Sequence, residues 1–530
     1  MNFEPLSGMD AGFLYMDTPT GHMHTLKVAV MSAPEQRGAV RFEGFRRTLE
    51  SVLPRLPSFR QRIMEVPFGL GHPVWVEDDS FDVRRHLEHR SAPAPGGERE
   101  LNLVVSEIAS VPLPRDRPLW QITMVEGLER GWVAFVCKLH HSMADGAAAM
   151  AMLLDVLSHA NAAGEPGSRA EIASRAPISG DASQRPPTKW EITRWSIGQA
   201  LRTIASLPRL LGLTLRGLLG LARRARQGPH PHLPAPFSGP RTRWSGALTA
   251  RRSFATTSVP LAEMKRVKAA VGVTLNDVML GLCGAALRAD LAEIEGAVPA
   301  RPLVASVPVN THPELTGRTR GNHVGHLAAS LCTHIADPVE RVLAIHEQTD
   351  EAKQRQMTVG PDLLERWIEF TSPKAHSAFV RFWSRRHISD LVPGPVNLVV
   401  SNVAGPRTEL VIFGYRLESL YSVGPILEGI GLNITGWSYG DRVCFAGLAC
   451  PDQIADVQKL VDRIPQALAE LVSACETHVR RGASHASARH RDRGGDRERS
   501  VGAAVAVGPR ADGEHESGGR GGNPAVDRAG

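Results

Sequence analysis

Two stretches of the chain, residues 1–160 and 251–478, alternate strand-length apolar runs with runs of helical period, which excludes an all-helical or all-strand fold. In the first, Gly38 to Leu53 carries Phe42, Phe45, Leu49 and Leu53 at helical spacing. Trp132 to Leu139 is a β-branched and aromatic run of strand length, and a second helical pattern follows from Gly146 to about His159. In the second stretch, strand-like Leu303–Val309, Val396–Val400, Ile430–Ile434 and Val443–Leu448 interleave with helix-like Leu261–Ala270, Asp277–Ala289, Pro338–Glu351 and Ile454–Cys475. The pattern predicts an α/β protein of two similar domains joined by a crossover.

Residues 161–250 break this alternation. Pro, Gly and Ser cluster up to Pro187 and again from Gly228 to Gly239, so both ends read as loops. From residue 479 to 530 the composition collapses to Gly, Ala, Ser, Arg and His; such a tail buries too little apolar surface to offset its ordering entropy, and is expected to be disordered. The chain has 530 residues, 42% hydrophobic and 22% charged, room for two or three domains of ordinary globular composition. Six scattered cysteines (Cys137, Cys283, Cys332, Cys444, Cys450, Cys475) have neither CxxC nor metal-ligand spacing, and read as small core fillers in a reducing compartment. The N-terminus lacks a basic stretch followed by an apolar run, and no apolar run reaches the ~18 residues that would cross a bilayer. The expected location is the cytoplasm, peripherally associated with the inner membrane face or with lipid droplets.

The chemical signal is Lys138-Leu139-His140-His141-Ser142-Met143-Ala144-Asp145-Gly146. A strand ends in two histidines, a three-residue turn follows, and Asp-Gly opens an Ala-rich helix. Neutral imidazole, with an ordinary pKa of about 6.5, is a competent base near neutral pH. Taken alone, a His-His pair among 21 histidines is more often structural. The whole pattern HHxxxDG at a strand-to-helix turn is what points to catalysis.

Further blocks stand in order along the chain: Pro5-Leu6-Ser7-Gly8-Met9-Asp10-Ala11-Gly12-Phe13-Leu14, then Arg117-Pro118-Leu119-Trp120, then Asn276-Asp277. Gly321-Asn322, Ser401-Asn402-Val403-Ala404-Gly405-Pro406, and Gly429-Ile430-Gly431-Leu432 followed by Tyr439-Gly440-Asp441 complete the set. With HHxxxDG, from about Pro5 to Ala455, the sequence resembles the wax ester synthase/diacylglycerol acyltransferase family of the CoA-dependent acyltransferase superfamily. It departs at Cys332, which follows Leu331 where such sequences often have Leu-Pro, and in the tail.

The resemblance implies two chloramphenicol-acetyltransferase-like domains (1–160 and 251–478) with a central substrate channel, joined by a helical crossover. It implies an O-acyltransferase that takes acyl-CoA as cosubstrate, with no cofactor and no metal. His141 would be the general base, His140 a supporting residue, Asp145 structural, and Gly146 the residue where a side chain would crowd the turn. Asn276, Asp277, Ser401 and Asn402 are substrate or oxyanion candidates, although Asn276-Asp277 could equally be a helix N-cap and Ser401-Asn402 turn chemistry. Pro118 and Trp120 would pack the strand that supports the histidine loop. The expected acceptor is diacylglycerol, with a fatty alcohol as the alternative. A condensation-type domain acting on carrier-protein thioesters shares HHxxxDG but lacks the other blocks, and a non-catalytic lipid-surface protein would not need His141, Asp145 and Gly146 intact.

Between the loops, Trp190 to Gln227 places Arg202, Arg209, Arg216 and Arg223 seven residues apart, hence on one slowly drifting helix face, with leucines over much of the rest. Lys189 to Arg226 carries eight basic residues and one acid, a net of +7 against +6 for the whole chain. Such a helix suits an anionic membrane or lipid-droplet surface; the alternative is a helix packing its leucines on the domains and showing arginine to solvent. Pro208 is expected to break it in two. The expected partners are thus acyl-CoA, diacylglycerol or a long-chain alcohol, and a lipid surface, with no nucleic acid.

Overall fold

The computed structural model describes residues 3–32, 42–143, 187–227, 231, 233–310, 324–360, 363–412 and 415–481. Asp145, Gly146, the helical pattern to His159, Gly321, Asn322 and the tail from residue 482 lie outside them. Residues 1–476 form one compact unit, and residues 477–530 are a second; the account below concerns the first.

In chain order the unit begins β1 (Phe3–Pro5), α1 (Gly8–Met16), β2 (His24–Ser32), α2 (Phe42–Val52), β3 (Gln61–Met64), β4 (Val74–Glu77), β5 (Leu87–Ser91), α3 (Glu98–Ser110), β6 (Trp120–Glu126), β7 (Val133–His140) and α4 (Lys189–Ala225). It continues β8 (Ser253–Pro260), α5 (Leu261–Val271), α6 (Leu275–Ile294), β9 (Val304–Asn310), β10 (Val324–Ser330), α7 (Pro338–Val359), α8 (Leu363–Ile368) and α9 (Pro373–Arg385). Then come β11 (Leu398–Val403), β12 (Val411–Ile412), β13 (Tyr415–Val423), β14 (Leu432–Tyr439), β15 (Arg442–Ala449) and α10 (Val457–Val461). After a turn at Asp462, residues 463–476 are helical.

Among the described residues the strands form two six-stranded sheets, ordered β12-β13-β2-β7-β6-β5 and β10-β9-β11-β14-β15-β8, and a small sheet β1-β4-β3. Each strand alternates its side chains between two faces, and both large sheets have each face covered, so β2 and β7 read as nearly unbroken apolar runs. The two halves are interlocked. The hairpin β12–β13, from the C-terminal half, pairs antiparallel with β2 through Val423↔Leu26 to Arg416↔Ser32.

One core fills the second sheet and the helices α5, α6 and α7. Another lies under α1 and α2 against Phe135, Cys137 and Leu139 of β7 and reaches Trp437 and Tyr439 of β14, so it bridges the two sheets. α2 anchors there because Phe45 and Leu49 fall one turn apart on its buried face; each contributes roughly 1.5–3 kcal/mol of apolar burial. Gly405 allows the close approach of the β11–β12 connection to β14: a Cβ there would collide with the Ser438 carbonyl oxygen and Trp437 Nε1. Cys332 is buried with φ 46°, a conformation closed to proline, so the turn after β10 is built differently where the chain departs from the expected Leu-Pro.

The expected break at Pro208 does not occur: α4 is one helix of 37 residues. A proline removes one rung of the ladder, which a long helix tolerates when its other turns are held. Here Thr188 and Glu191 form a capping box at the start, and Gly217 and Gly220 seat the far end against Val359 and Thr358 of α7. Arg224 adds an ion pair to the buried Glu351, at 2.7 Å.

Candidate active site

The two histidines close strand β7. In register, His24 of β2 faces His140 across the sheet, and the His141 N–H donates to the Met23 carbonyl at 2.8 Å. Alternation then separates their side chains. His140 lies on the α3 side with Lys138, whose ammonium donates to the Ile108 and Val111 carbonyls. His141 lies with Cys137 and Leu139, toward the core that bridges the sheets.

His140 is locked. The Ser142 N–H donates to its Nδ1 at 3.1 Å, with the Ser142 hydroxyl at 2.7 Å from the same nitrogen. That leaves the proton on Nε2, which donates to Asp17 Oδ2 at 3.1 Å. Asp17 is the hub. Its Oδ1 accepts the Met23 N–H at 2.8 Å and its Oδ2 accepts Arg115 at 2.9 Å. Burial alone would raise the Asp17 pKa, but His140 and Arg115 outweigh it and hold the carboxyl well below the usual range. One carboxylate therefore grips His140 by its ring and, through Met23, His141 by its backbone.

His141 stacks on Phe13 of α1, ring centroids 4.1 Å apart and planes 19° apart. It is half-buried, on the side of the core that bridges the two sheets. Burial pushes its pKa down to about 3; a backbone hydrogen bond opposes this, and the Lys27 charge reinforces it, as do His140 and His326 when protonated. The neutral ring, able to accept a proton, is thus the resting form at physiological pH. Lys27 lies on the same face of the sheet. Its buried ammonium donates to Thr25 Oγ1 at 2.8 Å and Ser422 Oγ at 2.6 Å, 5.3 Å from the centre of the Trp437 ring. From the second sheet, His326 of β10 is another group with open surface that burial nonetheless drives to a lowered pKa; it lies 3.0 Å from Ser306 Oγ.

The remaining expected site residues divide. Ser401 shares a face of β11 with Val403, which packs on the bridging core, so it is turned toward that core. Asn402 points to the other face and is exposed, and so does not join the site. Neither belongs to a turn: both pair with β14, Ser401↔Thr435 and Asn402↔Gly436. The N-cap of α6 is Thr274 rather than Asn276-Asp277, and Asp277 is its capping-box partner. Fully buried, Asp277 accepts from Thr274, from Thr349 Oγ1 at 2.8 Å and from His346 Nδ1 at 2.7 Å. Its carboxylate pins α6 to α7 and is not presented to a substrate. Asn276 stands beside it, half-buried, in the first turn. Trp120 is buried, donates to the Phe59 carbonyl at 2.7 Å and stacks on His86 at 4.4 Å. The Trp120 N–H donates to the Pro118 carbonyl, and the carbonyl of the intervening Leu119 accepts the His140 N–H. Asp17, Lys27 and His326 escaped the sequence reading, and Phe13 entered it only as part of the Pro5–Leu14 block, because their link to the histidine loop is purely spatial.

A partly exposed histidine at the end of a central strand, beside the core that joins two sheets, fits an acyltransferase site. Residues 6–279 match the family model described as the wax ester synthase/diacylglycerol acyltransferase catalytic domain, and residues 320–472 match the WS/DGAT C-terminal domain. The chain belongs to that family and is an O-acyltransferase. A Mycobacterium tuberculosis protein provisionally named diacylglycerol O-acyltransferase Rv1760 is 36% identical over 91% of this chain and 92% of its own length. A second from that organism, with the same provisional activity and the designation Rv0221, is 36% identical over 85% of this chain and 92% of its own. Among solved structures, the wax ester synthase/diacylglycerol acyltransferase of Marinobacter aquaeolei VT8 matches with a TM-score of 0.58 and 28% identity, covering 89% of this chain and 100% of that one. The first condensation domain of the CDA synthetase matches at a TM-score of 0.51 and 17% identity over 89% and 96%, a likeness of fold: two chloramphenicol-acetyltransferase-like halves.

Proposed function

We propose that the enzyme transfers a long-chain acyl group from acyl-CoA to the free hydroxyl of diacylglycerol, forming triacylglycerol, with His141 as general base. The hydroxyl oxygen attacks the thioester carbonyl while a ring nitrogen of His141 takes its proton. The tetrahedral intermediate then collapses, the carbon–sulfur bond breaks, and the departing CoA thiolate receives that proton. The chemistry needs no metal or further cofactor, and positioning of two bound substrates supplies much of the rate. What carries the reading is the setting of His141: neutral through burial, stacked on Phe13, and on the side of the core that bridges the two sheets. Ser401 on the facing sheet and Asn276 are the candidate donors to the oxyanion. His140, held by Asp17, orients the loop, and Asp145 and Gly146 are assigned to shaping the turn by analogy with the family.

The lipid acceptor is supported by α4. Its buried positions include Ile192, Ser196, Leu210 and Gly217, whereas Trp190, Ile197, Leu201, Ile204, Leu211, Leu215, Leu218 and Leu219 are exposed. At 100° per residue these eight form one stripe, running ~44 Å at 1.5 Å per residue. The exposed Arg202, Arg209, Arg216 and Arg223 flank it. Apolar side chains beside a row of cations suit the surface of an anionic membrane or lipid droplet on the cytoplasmic side. By length and composition the helix could also span a bilayer; one face packed on α7 and α8 and a basic flank along its length favour lying in the interface.

The Marinobacter relative's name supports a second reading, a fatty alcohol in place of diacylglycerol. Purified protein given palmitoyl-CoA with vesicle-borne diacylglycerol or hexadecanol, and products resolved by mass spectrometry, tests both. Triacylglycerol as the main product is expected; wax ester alone would reject the preferred acceptor.

A further inference from the structure

Beneath α4 lies a cleft of about 790 Å³, lined by that helix, by the segment Pro5–Ser7 leading into α1, by Gly69–His72, and by Arg366 to Pro373. Its volume is that of a small-molecule site, about 300–1,000 Å³. Three observations describe its occupant. First, α4 presents Ser196, Gln199 and Thr203 to the cleft, a row of neutral hydrogen-bonding side chains at helical spacing, interleaved with apolar Trp195, Leu210 and Leu213; Ser206 also lines it, but its hydroxyl donates to the Thr203 carbonyl at 2.7 Å. Secondly, Ser196 is only 1% exposed, and its hydroxyl has no hydrogen-bond partner among the described residues. A buried hydroxyl left unpaired costs about 1–3 kcal/mol, which a ligand acceptor would recover. Thirdly, Ile204 and Arg209 line the cleft and also belong to the exposed apolar stripe and its arginine flank, so the cleft opens onto the proposed lipid-facing surface.

The cleft also lies close to the base. Ser7 stands at its edge and caps α1, and Phe13, six residues on, stacks on His141. At 1.5 Å per residue that is ~9 Å.

Building on the acceptor proposed above, we propose that this cleft is the acylglycerol-loading site, where a diacylglycerol leaving the lipid surface is held by its ester carbonyls before its free hydroxyl reaches His141. Neutral donors match ester oxygens, which a fatty alcohol lacks, so the row favours an acylglycerol acceptor. Arg209 and Arg366 are partly offset by Glu369, which accepts the Gly8 N–H at 2.6 Å.

The test replaces the row in the full chain with near-isosteric apolar residues, Ser196→Ala with Gln199→Leu and Thr203→Val. KM for vesicle-borne diacylglycerol should rise about tenfold with kcat largely kept, and preference for diacylglycerol over hexadecanol should fall by the same factor. An unchanged preference overturns the proposal. A photoactivatable diacylglycerol, applied to the unmodified protein without acyl-CoA, should label residues 196–213 or 366–373. Labelling confined elsewhere, or labelling of the cleft by a photoactivatable phosphatidylglycerol instead, also overturns it. This readout needs no turnover, so it separates failure of the cleft from failure of the acceptor assignment, which production of wax ester alone would expose.

Discussion

Replacing Asp17 with Asn tests the hub that holds both histidines. The substitution keeps the size and leaves Oδ1 able to accept the Met23 N–H, but it turns an NH₂ toward two donors, His140 Nε2 and Arg115 Nη2. The bond to His140 is buried and charge-assisted, worth about 1.5–3 kcal/mol. The Arg115 side chain is 45% exposed, so that pair adds at most about 1 kcal/mol after screening. The expected loss of stability is about 2–4 kcal/mol at pH 7, read from urea unfolding. The sign of the pH dependence follows from the lowered folded-state pKa. Asp17 contributes fully above its unfolded pKa of about 3.9, and the contribution is lost as pH falls through that value toward the folded one. The gap between wild type and Asp17→Asn should therefore be constant from pH 7 to 5 and shrink below about pH 4. Acyl transfer to a short soluble alcohol should drop about tenfold, because a tilted His140 disturbs the loop that carries His141, at a cost near 1.4 kcal/mol. A stability gap under 0.5 kcal/mol, or one as large at pH 3.5 as at pH 7, would refute the assignment of Asp17 as the anchor.

His141→Ala should lower turnover by about 10²–10⁴-fold while acyl-CoA binding measured by calorimetry survives; near wild-type turnover rejects the general base. His140→Ala should cost less, and an equal loss would mean that the two act as one unit. Changing Arg202, Arg209, Arg216 and Arg223 together to Gln keeps helix propensity nearly constant. Co-sedimentation with anionic vesicles should weaken by up to about 1 kcal/mol per charge and lose salt sensitivity; unchanged binding would return α4 to the role of a soluble helix.

The alternation of periods is local, and so it was legible. Strand β7 runs to His140 much as the stretch Trp132–Leu139 implies, and Phe45 and Leu49 are buried on the helix their spacing defines. HHxxxDG with its companion blocks likewise carried the family and the O-acyltransferase activity. Periodicity says which residues share a face, but not what that face meets. The leucines of α4 looked alike in sequence; tertiary packing buried Leu210 and left Leu211, Leu215 and Leu218 open. Asp277 reads as a site residue until Thr349 and His346, about seventy positions away, claim its carboxylate. Asp17 reaches His140 across 123 residues because β2 pairs with β7, and a strand from the C-terminal half completes that sheet. Backbone geometry sets helix and strand within a few residues, so the sequence alone determined the elements and the histidine pair at the end of β7. Contacts between distant segments exist only once sheets pair and cores close, so the tertiary structure alone decided which groups hold the histidine loop and which face of α4 is left exposed.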